Sequence, residues 1–125
     1  MSNFLIRNGT LIDGTGNMPQ PDAAVFVKDN QIADVGHVSR IRLPNVQTTE
    51  IDAGGGYILP GLIDTHVHVM LQGVNIVRDI TTPFSMRFFN AVNYMKNTID
   101  AGITSVRDAG GADAGVKMEI GRAHV

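Results

Sequence analysis

Along residues 1–57 the apolar positions come in short bursts with no helical period. "FLIR" and "TLID" flank Asn8-Gly9. Both residues tolerate the positive φ of a type I′ turn, so the pair predicts a hairpin. "AVFVKDNQIADVG" repeats the theme: Val25 and Val27 alternate in one strand, Ile32 and Val35 lie in the next, and Asp29-Asn30 turns the chain. "TTEIDAGGGYIL" reads as a strand, a glycine-rich turn and another strand. The whole stretch is a small β-module.

The pattern changes at Pro60. "GLIDTHVHV" alternates as a strand, and a loop is expected over 70–81. In "TPFSMRFFNAVNYMKNTIDAG", Phe84, Phe88, Val92, Met95 and Ile99 recur at helical spacing and lay a stripe on one face. Core packing accounts for that stripe and for Phe89 and Tyr94 beside it better than a ligand box does. Thr82 is placed to cap this helix, Pro83 suits its first turn and Gly102 its stop. "ITSVRDAGG" is a second strand, and Asp113 is placed to cap a second helix, "AGVKME". A strand–helix–strand unit with one crossover predicts parallel strands, as at the start of a barrel or a doubly wound sheet.

Composition narrows the partners. The chain of 125 residues is 43% hydrophobic and 18% charged, which suits a globular protein. A net charge of −2 excludes the basic balance of a nucleic-acid binder. There is no cysteine, hence no disulfide framework and no cysteine metal site. The apolar run before Arg7 is too short for a signal-peptide core, and no later stretch approaches a membrane span. A cytoplasmic location is the expectation. The glycine clusters in "DGTGNMPQ" and "AGGGYILPG" lack the lysine and hydroxyl residue of a phosphate loop and read as turns.

The candidate chemistry lies in "PGLIDTHVH". Strand residues i and i+2 share a face about 6.5–7 Å apart, so His66 and His68 can converge on one ion. Leu62, Asp64, His66 and His68 form one face, and Ile63, Thr65, Val67 and Val69 the other. Three ionisable residues in alternation on a buried parallel strand are costly unless paired or metal-bound. An isolated pair of histidines, however, is a poor metal site by itself.

"LPGLIDTHVH" closely resembles the signature of the metal-dependent amidohydrolase superfamily at the end of its first barrel strand. "IRNGTLIDGTG", "IDAGGGYILPG" and "AGITSVRDAGG" resemble the same superfamily in the same order, most nearly its imidazolonepropionase-like and Xaa-Pro dipeptidase-like branch. The resemblance runs to about Met118. It implies an α/β fold, the start of a (β/α)8 barrel preceded by part of a small β-sandwich. It implies one or two divalent metals, commonly zinc, and hydrolysis of a C–N bond in a small-molecule or peptide-like substrate. His66 and His68 carry over as metal ligands. Asp64 matches the motif's acid, and either orients a ligand from outside the coordination sphere or caps local backbone groups. The family's proton-transferring aspartate does not map onto this chain.

The remaining candidates are weaker. His37 lies in the β-module and is expected to be a surface residue. Arg107, with Asp108 at the end of the second strand, suits a substrate carboxylate, although an ion pair or loop hydrogen bond between neighbours is the simpler expectation. Gln72 and Asn75 read as ordinary loop residues. A closed barrel needs on the order of 200–250 residues, so an N-terminal fragment, inactive alone, is expected. Its segments would be 1–57 (β-sandwich portion), 58–119 (first βαβα segment) and 120–125 (a non-native tail). "IGRAHV" back-translates as ATC GGA AGA GCA CAC GTC, a common sequencing-adapter string, and if so Arg122 and His124 have no role. Two other readings compete: a barrel of this superfamily that has lost catalysis and serves binding or assembly, and a small regulatory β-domain complete at this length.

Overall fold

The computed structural model describes residues 2–71, 73 and 75–122. The chain packs as two units, Met1–Pro60 and Gly61–Val125. Gln72 and His124 lie outside the described residues.

The first unit is one mixed sheet. Its strands are β1 (Asn3–Leu11), β2 (Gln20–Lys28), β3 (Gln31–His37), β4 (Thr49–Asp52) and β5 (Tyr57–Ile58). The order is β3-β2-β1-β4, with β5 also on β1. β2 carries the core: Ala23, Ala24, Val25 and Phe26 are buried in succession, so both of its faces are covered. Leu5, Ala24 and Phe26 pack together with Ile41 against them. The β2–β3 hairpin forms as expected, with Lys28 opposite Gln31 and Asp29 at φ 56°. The 3₁₀ turn Val38–Arg40 was not expected; it is capped by His37, whose ring Nδ1 lies 2.8 Å from Ser39 Oγ.

Asn8-Gly9 does not make a hairpin. β1 runs straight through it, with a register irregularity between Ile6 and Gly9 against β2. The local signal for a positive φ was sound, since Asn8 has φ 60°. Its use is different. β4 pairs parallel with Phe4–Arg7 and β5 with Thr10–Leu11, so the bulge faces the turn between β4 and β5. There Gly55 N–H donates to Asn8 O at 2.7 Å, and Thr10 N–H to Gly56 O at 2.9 Å. Gly9 permits this approach: a Cβ there would stand 2.9 Å from Ala53 Cβ and from Ile58 Cγ1.

The second unit contains β6 (Leu62–Val67), α1 (Ile76–Thr81), α2 (Phe84–Asp100), β7 (Ile103–Asp108) and α3 (Ala114–Arg122). β6 and β7 pair in parallel, as the crossover predicted. The expected loop before α2 contains the extra helix α1, begun by Asn75, whose Oδ1 accepts from Arg78 N–H at 3.0 Å. This displaces Thr82 from its expected role: its hydroxyl donates to Arg78 O at 2.7 Å, closing α1, and α2 begins without a side-chain cap. Gly102 ends α2 as expected, at φ 84°. Asp113 caps α3, accepting from Gly115 N–H and Val116 N–H. α3 continues through Ile120 to Arg122, where the sequence pattern had placed a break.

The stripe on α2 does not form the packed seam. Ala91, with Val69 and Met70, is buried, and Met95 packs beside them. Phe84, Val92 and Ile99 remain more than half exposed. Phe88, Val92, Met95 and Ile99 instead line an apolar groove with Val106 and Ile120. Helical periodicity gave the apolar face, but the width actually covered depends on the neighbours available.

Two outcomes are expected for the first unit. Gly9→Ala lowers stability by about 1–3 kcal/mol, the usual cost of overpacking, read from the urea midpoint at unchanged slope. Asp52 is held below its ordinary 3.8 by the backbone N–H of Gly54 and then by the Asn8 amide. Its folded value lies below its unfolded one, so its contribution is present above 3.8 and is lost as pH falls through the folded value. Asp52→Asn flattens the acid limb of the stability profile, measured by urea unfolding from pH 5 downward.

Candidate functional site

The site residues gather where β6 and β7 end. β6 stops at Val67, so His68 is the first residue beyond the strand rather than within it. A turn follows, with Leu71 N–H donating to His68 O at 3.1 Å. His66 and His68 nonetheless lie side by side. Their ring centroids are 5.2 Å apart and their planes meet edge to face at 77°. The two-residue spacing therefore delivers both imidazoles to one place.

The environment of His68 is specific. Its Nδ1 lies 2.8 Å from the carbonyl oxygen of Gly110. A carbonyl only accepts, so the neutral ring carries its proton on Nδ1 and keeps the Nε2 lone pair free. Hydrogen bonding of one ring nitrogen to a carbonyl is the usual support for a histidine that ligates through the other.

Asp64 takes the backbone-capping role of the two left open by the sequence. Its Oδ1 accepts from His66 N–H at 3.0 Å, and no bond to a histidine ring is formed. Arg107 is exposed, and its side chain has no hydrogen-bond or ion-pair partner among the described residues. The expected tie between Arg107 and Asp108 is absent because the Asp108 carboxylate is engaged elsewhere. Asp108 Oδ2 accepts from Val69 N–H at 2.9 Å, and Oδ1 from Gly110 N–H at 2.8 Å. Sequence reasoning singled out Asp108 only as a neighbour of Arg107. The available signal was an acid two residues before a glycine at a strand end, the pattern of an Asx turn.

The donor set fits a metal in part. Two imidazoles, one with a defined free nitrogen, suit a zinc-like ion. Among the described residues no group of three or more histidine or carboxylate side chains is gathered to hold one. His37, expected at the surface, is half-buried in its own unit, where its ring lies against Ser39.

Residues 57–123 match the amidohydrolase family. The chain belongs to that family. A crystal structure described as an amidohydrolase is 35% identical with a TM-score of 0.83, covering 99% of this chain and 29% of its own. A prolidase crystallised with N-methylphosphonate-L-proline is 27% identical with a TM-score of 0.83, covering 99% and 30%. The imidazolonepropionase of Mycolicibacterium smegmatis is 30% identical over 118 residues, which is 94% of this chain and 27% of that protein. Relatives named adenine deaminase and dihydroorotase match as well. The chain thus spans less than a third of the length of each relative compared. The fold expectation holds: this amidohydrolase chain is the α/β opening of a barrel with β-structure ahead of it.

Proposed function

We propose that this amidohydrolase chain contributes His66 and His68 as ligands of a divalent metal, zinc by the nature of its donors. The protein of which it forms a part would hydrolyse a C–N bond in a small amide, peptide or cyclic amide. One observation carries the reading: the His68 ring spends Nδ1 on Gly110 O and leaves Nε2 free beside the His66 ring. When bound, such a metal makes water nucleophilic near neutral pH and polarises a scissile carbonyl.

The work of this chain's own residues is to bind and orient. His66 and His68 offer two nitrogen donors at the C-terminal end of a parallel pair, where barrel enzymes build their sites. Asp64 steadies the His66 backbone through its amide. Arg107, exposed and without a partner among the described residues, is proposed to receive a substrate carboxylate through its planar fork. The proline analogue bound by the related prolidase supports a small substrate bearing such a group.

The chain is expected to bind Zn²⁺ without catalysing hydrolysis. In titration calorimetry, His66→Ala and His68→Ala each weaken Zn²⁺ binding by more than the roughly 10- to 100-fold typical of losing an outer partner. Equal affinity in the parent and both variants would refute the ligand assignment. Turnover of an Xaa-Pro dipeptide by this chain with Zn²⁺, abolished by His66→Ala, would show instead that the site is complete here.

A further inference from the structure

We propose that Asp108 is a positioning residue for the metal site, fixing the orientation and tautomer of His68 by clamping the backbone on both sides of its ring. The proposal rests on the reading of His68 as a ligand. The last backbone rung between β6 and β7 is Ala109 N–H to Val67 O, at 2.9 Å. His68 lies just past that rung. From there the Asp108 carboxylate takes over as the link between the two strand ends. Oδ2 receives the N–H of Val69, the residue after His68. Oδ1 receives the N–H of Gly110, whose carbonyl accepts from the His68 ring.

One side chain therefore ties the peptide that follows the imidazole-bearing residue to Gly110, the residue whose carbonyl receives the ring. Both bonds have an ionised acceptor and are stronger than neutral ones. A simple Asx turn needs only the bond to Gly110. The second oxygen, reaching across to the other strand, is what a local turn does not require. The backbone of Gly110 adds to this. Its φ of 153° is one that favours glycine. Arg107 does not compete, since it makes no ion pair with Asp108. If the clamp is released, the Gly110 carbonyl is no longer held against Nδ1. The ring is then free to move its proton to Nε2, the nitrogen needed for the metal.

The test uses the 125-residue chain with ¹⁵N-labelled histidine. Ring nitrogen shifts of the neutral side chain are expected to show His68 protonated on Nδ1. In Asp108→Ala the population moves toward the Nε2–H form. Asp108→Asn, which keeps one acceptor oxygen, falls between them. His37, paired with Ser39 in the other unit, serves as the internal control and stays unchanged. Zn²⁺ affinity falls in parallel, by about 10- to 100-fold in Asp108→Ala. A wild-type His68 protonated on Nε2, or a tautomer unmoved by Asp108→Ala, overturns the proposal. If circular dichroism shows that the variants do not fold, amide exchange in the wild type decides. Protection of the Val69 and Gly110 amides supports the clamp, and exchange at the rate of open loop amides overturns it. Failure of the ligand reading itself would appear separately, as absence of Zn²⁺ binding by the wild type with the tautomer response intact.

Discussion

Where two parallel strands end together, the backbone runs out of partners. The next N–H groups still need acceptors, and the loops leaving the strands diverge too quickly to supply them. In this chain the Asp108 carboxylate supplies them, one oxygen to each side of the junction. The placement of the candidate ligand His68 follows from that constraint. The turn from His68 to Leu71 begins beside that bond, and Val69 and Met70 within it are buried with Ala91.

The same solution recurs along the chain. Asp13, Asp52, Asp64, Asp108 and Asp113 each accept a hydrogen bond from the backbone N–H two residues on. A short carboxylate reaches that N–H without distorting the chain and can add a further bond with its spare capacity. What differs is where the further bond goes. Asp13 adds the hydroxyl of Thr15, a local contact. Asp52 also accepts from the Asn8 amide across the sheet, and Asp108 from Val69 across the strand pair. The two long-range ties lie at the bulge of the first unit and at the candidate site of the second. A common local motif becomes an architectural one only where a second element brings a donor within reach.

That distinction explains what the sequence could reveal. Asp29-Asn30 and Gly102 were legible because their turns involve only neighbours in the chain. The histidine pair stood out because a two-residue spacing at a strand end brings both rings to one side, although His68 lies just past the strand and is held there by Gly110. Asn8-Gly9 was misread because its positive φ serves a turn more than forty residues away, at Ala53 to Gly56, which no local pattern announces. Thr82 failed as a cap for a related reason: Asn75 had already begun another helix, and the hydroxyl was drawn back to Arg78 O. The role of Asp108 was hidden because its second partner belongs to the other strand. Arg107, adjacent and of opposite charge, offered the simpler but incorrect pairing.

The exposed apolar surface and the proposed pair of donors concern the same geometry. Parallel strands are normally covered on both faces and paired on both edges. Here Ile63 is 70% exposed, and Val92 and Ile99 line an open groove beside β7. In a (β/α)8 barrel each added strand brings apolar side chains along its length and polar ones at its C-terminal end. Covering Ile63 and Val92 and supplying further donors beside His66 and His68 are therefore not separate requirements. A strand paired next to β6 or β7 would satisfy both at once, because alternation along one strand sets both kinds of side chain in fixed register. Hydrophobic burial would then align any further donors with the two proposed ligands. The strength of metal binding in such a protein would depend on how completely these strands are packed as well as on the histidines themselves.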